Sequence, residues 1–247
     1  MSTAAAEEPN FLAKLRSREL VAEGTMAFHF EKPVSFVFTP GQFINMDLLS
    51  PAETDAEGNT RAFSVSSAPY EDTIVVTTRL RDTAFKRVLK AMPIETEVMI
   101  EGPFGDLLLH NDVKRAAVLL AGGIGITPFH SILLDAVKRK LPHHIFLFFS
   151  NNRPEDAPFL DELQLLEKRN TNYKFIGTMT SMEKSKLSWQ GERDVINKEM
   201  LDRHLKNAAS PIYYIAGPPG MVKGLHSMLQ GAGIDDDDIR TEEFTGY

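Results

Sequence analysis

Cysteine is absent from all 247 residues of the chain. Disulfides, thiolate zinc sites, cysteine nucleophiles and cysteine-ligated iron–sulfur clusters are thereby excluded. Any electrons this chain handles travel on an organic cofactor or a haem, or leave on a partner. Long apolar runs are missing too. The longest, Ala116–Ala121, falls far short of the ~18 residues a membrane helix needs. Positive charge is in deficit: 27 Lys and Arg against 34 Asp and Glu leave a net charge of −7, which argues against general nucleic-acid binding. The segment Met1–Pro9 has no basic stretch followed by an apolar core, so it reads as a short disordered lead-in and not as a secretory signal. A cytoplasmic location is expected.

What is present is ordinary for a globular protein, with 43% hydrophobic and 25% charged residues. The acidic run Asp235–Asp238 reads as a solvated turn before a last strand. His130, His143 and His144 read as packed or exposed side chains, no metal site is expected, and the single tryptophan, Trp189, is expected to anchor a loop.

Two rhythms divide the chain. Up to residue 110, short β-rich segments recur at Leu12–Leu20, Thr25–Glu31, Phe43–Leu49, Ala62–Ser66, Thr73–Arg79 and Glu97–Glu101. Turn residues such as Thr39-Pro-Gly41, Asp55–Asn59 and Gly102-Pro103 separate them. This spacing predicts an antiparallel β-barrel or sandwich, interrupted by one helix over Ala84–Ala91 with Asp82-Thr83 as its cap. After His110, apolar runs at Ala116–Ala121, Ile145–Phe149, Tyr173–Ile176 and Ile212–Ile215 alternate with helical patterns at Pro128–Lys140, Pro154–Arg169, Lys198–Leu205 and Met221–Gln230. Continuous apolar strands alternating with helices predict an α/β domain whose parallel sheet is covered by helices. The expected domains are 1–110 and 111–247, with the boundary near Leu109–Val113.

Five elements carry chemistry. Arg61-Ala-Phe63-Ser64-Val65 enters a strand, where period-two alternation sets Arg61, Phe63 and Val65 on one face and Ala62 and Ser64 on the other. Arg suits a phosphate, Phe offers a stacking face and Ser hydrogen-bonds a ring nitrogen; a surface arginine beside a core phenylalanine is the plainer alternative. Next, Thr78-Arg79-Leu-Arg81-Asp-Thr83-Ala84-Phe85-Lys86 runs from a strand into a helix start, where free N–H groups and basic side chains suit a pyrophosphate. An ordinary capped helix accounts for it equally. Third, Gly122-Gly123-Ile-Gly125-Ile-Thr127-Pro128 lies between a buried strand and a helix, where glycines allow close backbone approach to a ligand and Pro128 fits a first helical turn. It has neither the three-glycine dinucleotide spacing nor a Gly-Lys-Ser/Thr triphosphate loop. Fourth, Ala216-Gly217-Pro218-Pro-Gly-Met221 is a second glycine-rich strand end, and ligands of open α/β sheets sit at such ends. Last comes Glu242-Glu-Phe244-Thr-Gly-Tyr247, two aromatics close to the terminus, which cover either a ligand or the body of the protein.

In this order the five elements resemble the ferredoxin–NAD(P) reductase family of flavoproteins. Arg61-Ala-Phe63-Ser64 is similar to its Arg-x-Tyr/Phe-Ser/Thr flavin motif, and Gly102-Pro103-Phe104-Gly105 to its Gly-Pro-x-Gly. Gly122–Pro128 is similar to its nicotinamide-nucleotide loop, Ala216–Met221 to Cys-Gly-Pro-x-x-Met, and Glu242-x-Phe244 to its C-terminal Glu-x-aromatic. The resemblance covers the chain from about residue 10 and implies FAD in the barrel with NAD(P)H as co-substrate. Arg61 would meet the FAD pyrophosphate with Thr83–Lys86, Phe63 would pack on the isoalloxazine, and Ser64 would bond near flavin N5, with Glu242 tuning its protonation. Val65, Thr78 and Arg79 would belong to the same site. Phe244 would cover the second flavin face, with Tyr247 as the alternative. Gly122, Gly123, Gly125, Thr127 and Pro128 would hold the nucleotide, while Ala216, Gly217, Pro218 and Met221 would shape the nicotinamide slot. Ser150 and Arg153 would flank the adenosine ribose, where Arg153 suits a 2′-phosphate. No second cation follows at Thr178-Met-Thr180, so NADH is favoured.

The resemblance departs at Ala216, which stands where the family has cysteine. It further implies an enzyme passing electrons to a separate one-electron acceptor, a ferredoxin or a cytochrome. Stand-alone reduction of quinones, ferric chelates or free flavin, a non-catalytic electron-transfer subunit and a flavin-free binding module stay open. Lys14, Arg16 and Arg18, and separately Lys138–Lys140, offer local basic patches, each also readable as a solvated face.

Overall fold

A computed structural model describes residues 10–245; the lead-in Met1–Pro9 and the terminal Gly246 and Tyr247 lie outside the described residues. The strands β1 (Asn10–Ala22), β2 (Thr25–Glu31), β3 (Phe43–Leu48), β4 (Thr60–Ser64), β5 (Thr73–Arg79) and β6 (Glu97–Phe104) pair in the order β4-β3-β6-β1-β2-β5, antiparallel throughout. A bridge between Val65 and Val76, with Ser66 N–H donating to Val75 O at 2.8 Å, joins the two end strands. Closure leaves neither β4 nor β5 as a free edge. Alternation explains the filling: Ile44, Met46 and Leu48 of β3 and Val98 and Ile100 of β6 point inward with Leu15, Phe28, Phe30 and Ile74. One helix, α1 (Ala84–Ala91), inserts Phe85 and Leu89 into this core. It starts at Thr83 because the Thr83 hydroxyl accepts the Lys86 N–H, satisfying a donor the helix leaves open.

The second domain runs β7 (Ala117–Gly122), α2 (Ile126–Arg139), β8 (Ile145–Asn151), α3 (Leu160–Arg169), β9 (Tyr173–Met179), α4 (Lys198–His204), β10 (Ile212–Gly217), α5 (Pro219–Gly231) and β11 (Ile239–Glu243). Its sheet is parallel, ordered β11-β10-β7-β8-β9. Every residue of β7 and β10 is buried, because α2 and α3 pack on one face and α4 and α5 on the other. The chain winds away from β7 in one direction through β8 and β9, then returns to β10 and β11. The carboxyl ends of β7 and β10 therefore form the switch point where such sheets open a crevice.

Helix α2 ties this sheet to the barrel. His130 Nδ1 lies 2.8 Å from Ser66 O, and the Ser131 hydroxyl donates to Ser67 O at 2.6 Å. The His130 ring is buried, stacks on Phe159 at 3.9 Å and meets Glu162 at 2.9 Å. It is a packed histidine that spans the two sheets.

One expectation is corrected. The single helix expected over Pro154–Arg169 is broken: a 3-10 turn at Pro154–Asp156 precedes α3, and Phe159 between them is left-handed at φ 60°. Pro158 is the cause, since proline pushes the preceding Ala157 to an extended conformation and supplies no N–H. Lys14 and Arg16 lie on a solvated face, where Lys14 pairs with Glu97 and Arg16 with Glu31 and Glu95. The acidic run forms the expected solvated turn before β11, a 3-10 turn at Asp236–Asp238 whose last residue also pairs with Arg115 at 2.7 Å.

Candidate functional site

At the mouth of the barrel, Arg61, Ala62, Phe63 and Ser64 of β4 face Thr77, Thr78 and Arg79 of β5, with Thr83 and Lys86 at the start of α1. Ile124 and Thr127 of the second domain close the far side with Phe244 and Thr245, giving a cleft of about 280 Å³. Strand alternation puts Arg61 and Phe63 on one side, where both rings and charge gather on Phe85: Phe63 at 5.8 Å between centroids, the Arg61 guanidinium at 5.2 Å. Phe63 is only 8% exposed, so little of its ring is open to the cleft. Val65 and Phe85 are core residues of the barrel, and Ala84 is buried with its N–H donating to Asp55. Glu57, Thr77 and Ile124 line the cleft without having been expected to. Glu57 is four residues before Arg61, Thr77 precedes Thr78 on β5 and Ile124 lies within the glycine loop, so each is a close sequence neighbour of a residue that was expected there.

The cleft is basic at one end. Lys86 holds its proton less tightly than usual, first because it is partly buried and then because Arg81, Arg61 and Arg79 repel it. Arg61, Arg79, Arg81 and Lys86 stand against the carboxylates of Asp55 and Glu57, which reach Arg61 at 3.2 and 2.9 Å. The surplus is positive and suits an anion.

At the other end the two domains meet. The Ser64 hydroxyl donates to Glu242 Oε1 at 2.9 Å. Glu242 sits beside Ala216 in the parallel pairing of β10 with β11, and Phe244 N–H donates to Gly217 O at 2.9 Å. Burial raises the proton affinity of Glu242; the Ser64 bond opposes this, and Asp106 reinforces it. A carboxyl whose folded pKa is raised binds its proton more tightly folded than unfolded. Stability therefore falls as pH rises through the ordinary carboxylate range and levels off above the folded pKa. Glu242→Gln keeps an oxygen for Ser64 and removes the charge. Its melting temperature is expected to exceed that of the native chain at neutral pH, with the gap closing below about pH 4. Thermal unfolding followed across that range checks this; a gap independent of pH would mean that Glu242 is not held against its charge.

The glycine loop occupies the switch point. Gly123–Gly125 form a 3-10 turn leading into α2, and Gly123 takes φ 51°, a left-handed value that glycine adopts without strain. Gly125 lies so close to β10 that a Cβ there would meet Gly217 N at 2.6 Å and the Ala216 carbonyl closer still. Gly122 is covered by Met221 and Pro218. Thr127 lines the cleft while its hydroxyl donates to Ile124 O at 3.0 Å, and Pro128 is buried in the first turn.

A second cleft, about 360 Å³, opens on the α4–α5 side of the same strand ends. Ser150, Thr180, Val195, Asn197, Met221 and Met228 are among its lining residues, none of which carries a charge. Arg153 is not there. Its guanidinium is held by Asp156 at 2.6 Å and by Glu23 of the β1–β2 hairpin at 2.9 Å, which also raises its pKa. The acid three residues on, Asp156, was the available signal. Val195 and Asn197 lie in an irregular stretch with no periodicity to place them.

The comparisons with known proteins bear on this geometry. Residues 119–227 match the family described as the oxidoreductase NAD-binding domain, spanning the glycine loop and β10 to α5. The glycine betaine monooxygenase reductase subunit of Chromohalobacter salexigens is 26% identical over 224 residues, covering 89% of this chain and 60% of that protein. A component of the Na(+)-translocating NADH-quinone reductase of Yersinia enterocolitica is 27% identical, covering 77% of this chain and 50% of its own length. The chain thus spans half to three-fifths of these relatives. Among solved structures, a ferredoxin NADP+ reductase from Neisseria gonorrhoeae with bound FAD and NADP superposes with a TM-score of 0.76 at 22% identity, over 95% of this chain and 98% of that one. The sequence match falls on the strand ends that meet the barrel, so the second domain is similar to the oxidoreductase NAD-binding domain over residues 119–227, and the fold of both domains is that of the ferredoxin NADP+ reductase.

Proposed function

We propose that this chain is an NADH-dependent reductase that holds FAD at the barrel mouth and delivers electrons to a separate one-electron acceptor, a ferredoxin-like protein or a cytochrome. The observation that carries the reading is the meeting of Ser64, Glu242 and Phe244, from β4, β11 and the segment after it, at the junction of the barrel cleft with the switch point. The residues present fit FAD: a cleft with a surplus of cations at one end suits the diphosphate, and Phe63, Ile124 and Phe244 give the other end apolar walls. When bound, FAD supplies a hydride acceptor that can release its electrons singly. The chain supplies position. Ser64 presents a hydroxyl whose orientation Glu242 fixes, Phe244 keeps water from the cleft until nicotinamide replaces it, and Gly122–Gly125 with Gly217 and Pro218 seat the nucleotide at the switch point.

The second cleft suits adenosine. Without a cation among its lining residues, and with Arg153 committed to Asp156 and Glu23, it favours the 2′-hydroxyl of NADH over the 2′-phosphate of NADPH. A separate acceptor is supported by the relatives, one a monooxygenase reductase subunit and the other a component of a quinone reductase, both longer than this chain. The absence of cysteine leaves the chain without an iron–sulfur cluster of its own. No described helix is long and apolar enough to cross a membrane, and a cytoplasmic location is part of this proposal.

The purified chain is expected to take up FAD, to turn yellow, and to be bleached by NADH in stopped flow. Its kcat/KM for NADH is expected to exceed that for NADPH by about tenfold or more, roughly 1.4 kcal/mol of discrimination. A chain that refuses FAD overturns the flavoprotein reading; a preference for NADPH overturns the nucleotide assignment alone. Turnover with ferric chelate or quinone, and no gain from added ferredoxin or cytochrome, would overturn the separate protein acceptor.

A further inference from the structure

Arg61, the residue expected to meet the flavin's phosphates, has both terminal nitrogens already engaged. Its Nη1 faces the carbonyl oxygens of Glu57 at 3.0 Å, Gly58 at 3.1 Å and Thr60 at 2.8 Å. Its Nη2 faces Asp55 Oδ1 at 3.2 Å and Glu57 Oε2 at 2.9 Å. Five acceptors therefore compete for the four protons on two terminal nitrogens. The other oxygen of Asp55 accepts the N–H of Ala84, the first residue of α1, at 3.2 Å. One carboxylate thus spans a guanidinium and a helix-start N–H, the two kinds of donor that hold a phosphate most readily.

The loop that carries Asp55 is fixed in place. Glu53 grips Arg87 of α1 with both oxygens, at 2.9 and 2.6 Å, and Arg87 also pairs with Asp82. Asp55 Oδ1 accepts the Glu57 N–H at 3.0 Å, which folds the loop back on itself. Glu57 then points into the cleft, where it is one of the lining residues. Side chains at 53, 55 and 57 in this way bind, in turn, the body of α1, its start, and Arg61.

We infer that Asp55, seconded by Glu57, is a built-in rival of the cofactor's phosphates and sets how tightly this chain holds its flavin. A phosphate reaching Arg61 and the start of α1 must displace these carboxylates or lie against them, and like charges disfavour either arrangement. The flavin is accordingly held in exchangeable form, and its affinity is limited by the loop and not by the cleft. This rests on the flavin reading of the same cleft.

Asp55→Asn tests it, because asparagine keeps the size of the side chain and an oxygen for Ala84 while removing the charge. The dissociation constant for FAD, read from fluorescence quenching on the flavin-free chain, is expected to fall by about tenfold. Glu57→Gln is expected to move it in the same direction by less, since Glu57 is largely exposed and screened. Affinity for riboflavin, which has no phosphate, is expected to stay unchanged in both variants. A role confined to shaping the loop would weaken FAD binding instead. An FAD affinity that is unchanged or weaker in Asp55→Asn overturns the inference, and so does an equal gain for riboflavin. Should Asp55→Asn not fold, Glu57→Gln decides by the same sign. If the native chain binds FAD and neither variant binds it more tightly, the rivalry alone fails. If neither the native chain nor the variants take up FAD, the flavin reading fails with it.

Discussion

Alanine at Gly125 is expected to lower kcat/KM for NADH by roughly ten- to a hundredfold while flavin stays bound. The backbone there is right-handed, φ −62° and ψ −2°, so alanine brings no conformational strain. The obstacle is space. The added carbon would lie 2.6 Å from Gly217 N and closer to the Ala216 carbonyl, and these are backbone atoms of β10, clamped between β7 and β11. They cannot yield, so the loop must lift away from β10 and carry Ile124 and Thr127 with it. Those two residues form the second-domain wall of the barrel cleft, and the glycines between β7 and α2 are the proposed seat of the nucleotide, so the nucleotide loses its register with the flavin held in the barrel. Overpacking of this kind also costs about 1–3 kcal/mol of stability. Gly231→Ala, where nothing lies within 4 Å, is the control and is expected to leave rate and melting temperature near native. Steady-state kinetics, flavin content and thermal unfolding on the three proteins check the expectation. A loss smaller than about threefold in a folded Gly125→Ala would place the nucleotide elsewhere.

Removing the Ser64 hydroxyl is expected to slow reduction of the bound flavin by about a hundredfold, with little change in the affinity for NADH. Ser64 is 4% exposed and its Oγ donates to Glu242. It is thus a hydroxyl of fixed direction at the point where the domains meet. Alanine leaves the buried carboxyl without that donor and the cleft without the hydroxyl. The bond also pulls the Glu242 pKa down against burial, so its loss is expected to shift any pH dependence of reduction upward. Ser64→Thr keeps the hydroxyl and is expected to recover part of the rate. Single-turnover reduction followed against NADH concentration separates the binding step from the transfer step. A native rate in Ser64→Ala would reduce Ser64 to a strut for β11.

The two variants probe different links. Gly125 acts through backbone approach, where a carbon atom decides, and Ser64 through one hydrogen bond between strands 178 residues apart. The first is expected to damage binding and the second transfer. A common loss in both would point instead to a collapse of the domain interface held by His130 and Ser131.

Much of the architecture was written in local pattern. Inward and outward alternation along β3 and β6, the Thr83 cap of α1, and the apolar runs of β7 and β10 follow from neighbouring residues alone, so these elements and the glycine turns between them could be read directly. The break before α3 was legible too, in Pro158, but the helical pattern on either side masked it. What tertiary structure alone decided was the company each polar side chain keeps. Arg153 was expected beside the adenosine ribose, and yet it turns to Asp156 and to Glu23, which the hairpin of the other domain brings within 2.9 Å. Arg61 carries the expected motif and is enclosed by Asp55 and Glu57. Ser64 and Glu242 meet only because barrel and sheet dock at the switch point. Secondary structure is set by residues within a few positions of each other, whereas a long charged side chain chooses its partner by what packing brings near, and that depends on the whole chain at once.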